Sequence, residues 1–325
     1  MTRRTLFAGL AVASAATLIG FGCTRRPDTV AWPDKPGPKV VVTFAPLHSF
    51  ATSVMGTRGT VRTILATQGP HDYQPTAEDA KTIDGADLFF HNGLGLEGSL
   101  IPTIRNARPG TKVGFVDLGG KIPKYTLHDM EDDHGHEGHS HGHGIDPHVW
   151  LGIDTAKLMV QAIRDELKAI DPEYAAEYDK NASAFLDTLE QLRDEGKKIL
   201  SGIPKDDRKF VTMHDSLGYF AKTFDLTIGG IIELSPGQEP SQKELEELIE
   251  ACTKHKVRVI ALEPQYSSNG GAKTLERELK RKGLDPILIV IDPLETADPA
   301  ALSPGLYVNT MRENLKVLSE ALKQK

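Results

Sequence analysis

The sequence predicts an α/β protein of two similar domains, each a parallel sheet with helices on both faces, joined by one long rigid α-helix. Three observations carry that expectation. Short apolar, often β-branched runs alternate with helical patterns, in two sets of four. Each run is continuously apolar rather than alternating, as a parallel strand covered on both faces requires. Between the two sets, the span 172–201 repeats apolar residues every three or four positions and contains one glycine, Gly196. A chain of 325 residues also exceeds the usual size of one hydrophobic core.

In chain order, residues 1–22 read as a signal peptide. MTRR supplies a positive start, and TLFAGLAVASAATLIGFG is uncharged and rich in small residues. Arg3 and Arg4 within TRRTLF resemble a twin-arginine export signal. GFGC, ending at Cys23, resembles a lipobox whose cysteine is acylated, although Gly20 stands where leucine is usual. A retained anchor and plain cleavage are the alternatives. Residues 23–38, with four prolines and no periodicity, read as a lipidated tether.

The N-terminal α/β domain is expected over 39–171, with strand candidates KVVVTFAP (39–46), VRTILAT (61–67), ADLFFHNG (86–93) and KVGFVDLG (112–119). Pro172 suits a first helical turn. Tyr178, Ala182, Phe185, Leu189, Leu192 and Ile199 then form the stripe of the linking helix, 172–201. The C-terminal α/β domain, 202–325, has RKFVTMHD (208–215), LTIGGIIE (226–233), VRVIALEP (257–264) and ILIVIDPL (287–294). Cys252, the second of two cysteines, sits at helical spacing from apolar neighbours and reads as a core thiol.

A formal net charge of -7 argues against nucleic acid, which would call for a basic patch. Seven of twelve histidines fall between His128 and His148. His128, His134, His136, His139, His141 and His143 alternate with glycine, serine and acids, a flexible loop suited to auxiliary metal sites. His148 differs from them, because Pro147 and the apolar Val149 and Trp150 give it a fixed place.

Ligands of parallel sheets bind beyond the carboxyl ends of strands, where connecting loops converge. Four candidate metal ligands stand there: His71 in QGPHDYQP, His148 in GIDPHVW, His214 closing KFVTM, and Asp292 closing ILIVI. Taken singly, each has a plain alternative as a satisfied polar residue or a turn starter. Two come from each domain, so a cleft between domains could gather all four. Asp72, Asp146 and Asp215 could hold the far nitrogens of the rings. His48 in APLHSF and Glu263 at the end of VRVIALE are expected to stand just behind the ligands. Glu263 is also the one extra ligand or general base on offer.

FAPLHSFA (44–51), GPHDYQPTAED (69–79), NGLGLEGSL (92–100), GIDPHVWL (144–151), HDSLGYFA (214–221), LEPQYSS (262–268) and IDPL (291–294) make the chain similar to a known family. It resembles the metal-specific periplasmic solute-binding proteins of ABC importers, the cluster with a rigid interdomain helix, and among them the zinc type. The likeness runs from about residue 39 to the C-terminus, departing at LGID (151–154), where D-P is usual. It implies ligation at His71, His148, His214 and Asp292. It also implies a binding protein rather than an enzyme, the transmembrane subunit of an ABC permease as partner, and a monomer. The expected location is the periplasm or the outer face of the cytoplasmic membrane, reached through a lipid on Cys23.

Three imidazoles and one carboxylate suit tetrahedral Zn2+. Mn2+ is the alternative, although manganese-binding relatives tend to carry a carboxylate where this chain has His214. Two further alternatives are a metal-regulated surface adhesin and an exported zinc hydrolase with Glu263 as base. Against the hydrolase, the chain has no HExxH motif, and four protein ligands would leave no position for water.

Overall fold

The computed structural model describes residues 31–71, 73–127, 144–233, 237–266 and 269–324. Residues 1–30, with the signal segment and Cys23, lie outside the described residues, as do His128, His134, His136, His139, His141 and His143. Trp32–Lys325 forms one compact unit.

Two four-stranded parallel sheets organise it. The first comprises β1 (Lys39–Val42), β2 (Thr60–Thr63), β3 (Leu88–His91) and β4 (Gly114–Asp117), in the order β2-β1-β3-β4. The second comprises β5 (Lys209–His214), β6 (Thr227–Glu233), β7 (Val259–Leu262) and β8 (Ile287–Val290), in the order β6-β5-β7-β8. The strand order reverses around β1 in one sheet and around β5 in the other, so the loops at those carboxyl ends diverge and leave room for a ligand. The predicted runs are longer than the strands. β1 stops at Val42 because Pro46 lies in the first turn of the next helix, where its missing N–H costs nothing.

Helices α1 (Ala45–Met55), α2 (Ala77–Thr82), α3 (Leu100–Ala107) and α4 (Ile153–Ile170) accompany the first sheet. Helices α6 (Gly218–Phe224), α7 (Gln242–His255), α8 (Gly270–Arg281) and α9 (Leu306–Lys323) accompany the second. Between them a short 3-10 turn, Pro172–Tyr174, leads into α5 (Ala175–Leu200), 26 residues long. At 1.5 Å per residue α5 spans roughly 39 Å. It contacts α1 and α4 along one part and α6 and α9 along another, burying Tyr178, Ala182, Phe185, Leu189 and Leu192. Ile199, expected in that stripe, is instead 36% exposed, and Leu200 takes the buried place. The α-helix continues to Leu200, which turns Ile199 outward.

One buried apolar cluster runs through both halves, from Val40 and Phe90 through Trp150 and Leu189 to Tyr307 and Leu318. A smaller cluster on the far face of the second sheet holds Cys252, where burial pushes the thiol up to about 12 and leaves it unreactive. Hydrogen bonds follow the same seam. Ser49 Oγ donates to the Ser303 carbonyl and accepts from the Tyr307 N–H. Tyr307 Oη donates to the Trp150 carbonyl, and Asn181 Nδ2 on α5 to the Val54 carbonyl. Ahead of β1, Lys35 Nζ holds the Gly59 carbonyl, and Arg62 lies over the Trp32 ring, so the end of the expected tether is attached.

Gly196 marks the tightest approach of α5. A Cβ there would fall 2.4 Å from Phe224 and 2.9 Å from Leu315. Glycine to alanine inside a helix ordinarily gains about 1 kcal/mol. Here overpacking against a buried phenyl ring opposes that gain by about 1–3 kcal/mol. Gly196→Ala is therefore expected to lower the thermal midpoint, and an increase measured by calorimetry would refute the close fit.

Candidate metal centre

Four side chains converge at the carboxyl ends of the two sheets: His71, His148, His214 and Glu295, with one donor atom of each within 4.8 Å of all the others. His71 lies in the irregular segment after β2. That segment is tied down at the start of α2, where Tyr73 Oη donates to Asp79 and Thr76 forms a reciprocal cap with the same aspartate. His148 immediately precedes a 3-10 turn, Val149–Leu151. His214 ends β5, and Glu295 follows β8 by five residues.

The spacing between donor atoms is informative. His71 Nε2 lies 3.1 Å from His148 Nε2, which is 3.3 Å from His214 Nε2. Glu295 Oε1 lies 3.3, 3.5 and 3.1 Å from the three Nε2 atoms in that order. A tetrahedral ion with bonds of 2.0–2.1 Å separates its ligands by about 3.3–3.4 Å. These five distances scatter around that edge.

The tautomers agree with it. His148 Nδ1 is 2.7 Å from Asp146 Oδ1, and His214 Nδ1 is 2.8 Å from Glu263 Oε2. An imidazole that donates from Nδ1 to a carboxylate presents Nε2 as a lone pair when neutral. Two such lone pairs and a carboxylate facing one another in a dry site repel unless a cation, either a proton or a metal, lies among them.

Three of the four side chains expected from sequence are thus together, and in the fourth place the structure has Glu295 rather than Asp292. Asp292 is absent from the cluster. Its Oδ1 accepts the Leu294 N–H at 2.7 Å, and its backbone N–H and carbonyl are both held by Asn314. Leu294 then adopts a left-handed conformation, φ 64°, and the chain turns Glu295 inward. Asp292 is the acid nearest the strand end, and Glu295, three residues later in the same loop, is the second acid that the sequence offers there.

Glu263 stands where expected, behind His214, also accepting from Gln265. It faces the Nδ1 side of the ring, turned away from the converging Nε2 atoms, so it is not placed as a base beside the cluster. His48 pairs with Thr63 at 2.9 Å, and no hydrogen bond or ion pair among the described residues joins it to the four. Asp146 is the acceptor on His148, whereas Asp72 lies outside the described residues.

Electrostatics follow from burial and charge. Burial works against the imidazolium of His148, but Asp146 and Glu295 outweigh it and push the group up to about 9. Burial likewise opposes a charged His214, yet Glu263 and Glu295 push it up to about 10. Glu295 is buried too, but the three histidines hold it well below the usual carboxylate range. Asp292 is raised, first by desolvation and then by the neighbouring Glu263 and Glu295. Of the four clustered side chains, only His71 keeps appreciable exposure, 20%.

Comparison with known proteins places this geometry. Residues 40–321 match the model of the family described as zinc-uptake complex component A, periplasmic. The chain belongs to this family. It is 31% identical over 324 residues to the high-affinity zinc uptake system protein ZnuA of Bacillus subtilis, covering 97% of this chain and 98% of the relative. It is 32% identical over 291 residues to the zinc-binding lipoprotein AdcA of Streptococcus pneumoniae, covering 88% of this chain and 56% of the relative. The chain thus spans only about half the length of the streptococcal proteins it matches. Among solved structures, the binding protein FpvC of Pseudomonas aeruginosa, in complex with Mn2+, aligns with a TM-score of 0.75 at 26% identity. That alignment covers 88% of this chain and 99% of FpvC. The family is a component of an uptake complex and not a class of enzyme.

A pH dependence follows from the histidines. Their folded values lie above the ordinary imidazole value of 6.5, so their contribution to metal-free stability is complete below about pH 6.5. It is lost as pH rises through about 9 and about 10. Metal-free protein is therefore expected to melt lower at pH 9.5 than at pH 6.5 on this account. A metal bound at these nitrogens would displace the same protons, so its binding at pH 7 should release about two per ion. Calorimetry in buffers of different ionisation enthalpy reads that number directly, and zero release would contradict the assignment.

Proposed function

We propose that this chain captures Zn2+ at His71, His148, His214 and Glu295 and delivers it to an ABC-type membrane permease. The supporting observation is the near-tetrahedral spacing of three Nε2 atoms and one carboxylate oxygen, with two of the rings locked from behind by Asp146 and Glu263. Four such donors form a closed shell suited to zinc, whereas manganese favours more oxygen ligands and six-fold geometry. Family membership and relatives named for zinc uptake support the same cargo. In this reading the ion is bound and released without chemical change.

The division of labour proposed for the fold is an N-terminal domain over 39–171, a linking helix over 172–201 and a C-terminal domain over 202–325. His71 and His148 come from the first domain, His214 and Glu295 from the second. Export directed by residues 1–22 and a lipid on Cys23 would hold a monomer beside the permease. The family description, periplasmic, and the name of the streptococcal relative, a lipoprotein, support that placement. Among the described residues, no helix is long and apolar enough to cross a membrane.

Competition titration of the full chain against a chromophoric chelator tests the site. Glu295→Ala and His214→Ala should each weaken zinc by on the order of 100-fold or more, since even the loss of an outer-sphere partner commonly costs 10–100-fold. Asp292→Asn should do far less, because its carboxylate holds a turn. Zinc affinity unchanged in Glu295→Ala would remove the proposed centre. Manganese bound more tightly than zinc by the unaltered chain would replace the proposed cargo.

A further inference from the structure

His148 reaches the cluster from Asp146–His148, a segment outside any helix or strand. Regular backbone pairing therefore does not aim it, and side chains have to. Tyr219 Oη on α6 donates to the Asp146 carbonyl at 3.1 Å. The His148 N–H donates to Asp146 Oδ1 at 2.9 Å. Asn92 Nδ2 donates to the Pro147 carbonyl at 2.9 Å. The last two bonds act on a single planar amide, since the Pro147 carbonyl and the His148 N–H are its two polar ends. Asn92 grips one end and Asp146 the other. With that plane set and Nδ1 also held by Asp146, the direction of Nε2 is decided.

Asn92 is fully buried and follows directly on β3. It opens the turn NGLGLEG, in which Gly93, Leu94, Gly95 and Gly98 all have positive φ, at 77°, 55°, 84° and 42°. Leucine in that region is strained. Gly93 has no substitute, because a Cβ there would lie 1.8 Å from Asp117 Oδ1. The turn wraps the carboxyl group of Glu97. Oε1 accepts from the Asn92 N–H at 2.5 Å and from Thr43 Oγ1 at 2.9 Å, and Oε2 accepts from the Gly93 N–H at 3.0 Å. Glu97 is 4% exposed, and no cationic side chain pairs with it among the described residues. A buried carboxyl group without a counter-charge has to be held by hydrogen bonds, and the three that Glu97 accepts tie it to Thr43 and to the first two residues of this turn.

We propose that Asn92 and Glu97 are positioning residues for His148: Glu97 fixes the backbone of Asn92, Asn92 fixes the Pro147–His148 amide, and the amide aims Nε2 at the ion. The inference rests on zinc binding at the cluster. It adds that one ligand of that site is set by a strained turn on a different strand connection. Asn92 follows directly on a strand of the first sheet and Tyr219 lies on a helix beside the second, so the ligand is tethered to both halves.

The test uses the full chain with Asn92→Ala, Asn92→Asp and Glu97→Gln. Asn92→Asp keeps the size and loses the Nδ2 donor. Glu97→Gln keeps the shape but sets an amide donor against donors already there. Three readouts are taken: zinc affinity by chelator competition, the visible spectrum of the Co2+-loaded protein, and the melting point without metal. Gly196→Ala, on α5 and outside the loops that carry the four clustered side chains, serves as a control for general destabilisation. All three positioning variants should bind zinc about 10-fold or more weakly, as outer-sphere partners do, with altered cobalt bands. Gly196→Ala should melt lower yet keep both zinc affinity and spectrum. Wild-type affinity and spectrum in folded Asn92→Asp and Glu97→Gln would overturn the proposal. So would an affinity loss no greater than that of the Gly196→Ala control. If the unaltered chain holds no zinc, or His148→Ala still holds it tightly, the zinc reading itself fails. Those outcomes are separable from the others.

Discussion

Three imidazole nitrogens and one carboxylate oxygen lie closer together than their lone pairs tolerate by themselves, and the rest of the molecule is arranged around that constraint. Separations of 3.1–3.5 Å crowd these acceptors around one focus, with only His71 appreciably exposed. A cation has to occupy their focus. Protons on His148 and His214 answer the same demand: Asp146, Glu263 and Glu295 push the two imidazoles up, and the histidines hold Glu295 low. The same electrostatic demand that favours protons at these nitrogens would equally favour the divalent ion proposed for the site.

Imposing that constraint requires a frame that does not relax. The buried cluster shared by both halves, the seam from Ser49 through Tyr307 to Trp150, and α5 along one side supply it. The ligand loops are also joined to one another. Trp150 Nε1 donates to the Pro293 carbonyl, linking the His148 segment to the Glu295 loop. The Ala297 N–H donates to the Ala66 carbonyl, linking that loop to the one carrying His71. Such cross-bracing favours small displacements over wide opening. Of the four side chains only His71 is partly exposed, and it lies on irregular backbone.

Carboxylates behind the rings matter as much as the one in front. Asp146 and Glu263 each accept a hydrogen bond from the Nδ1–H of a histidine, so the opposite nitrogen has one role only. Their position also separates binding from catalysis. A hydrolytic site sets its base beside a metal-bound water, whereas Glu263 stands on the far side of His214. Glu97 serves yet another end, organising backbone N–H groups in a turn whose glycines and left-handed leucine no regular element would use.

Much of this was legible in the sequence. Apolar strand runs and a helical stripe are local, periodic signals, and they determined two parallel sheets and a long helix. His71, His148 and His214 were legible because each follows a strand within a few residues or sits beside stiff, apolar neighbours. Glu295 was not. Between Ile291 and Ala297 the chain has no period, so two acids three residues apart are equivalent on paper. The left-handed Leu294 and the Asn314 side chain, brought from α9, decide which carboxylate faces the histidines. The same holds for Asn92 and Pro147, 55 residues apart, whose bond exists only once β3 and the loop after β4 have been brought together. Local pattern determines elements; the choice among side chains in coil belongs to contacts between residues remote in the chain, and those exist only in the folded molecule.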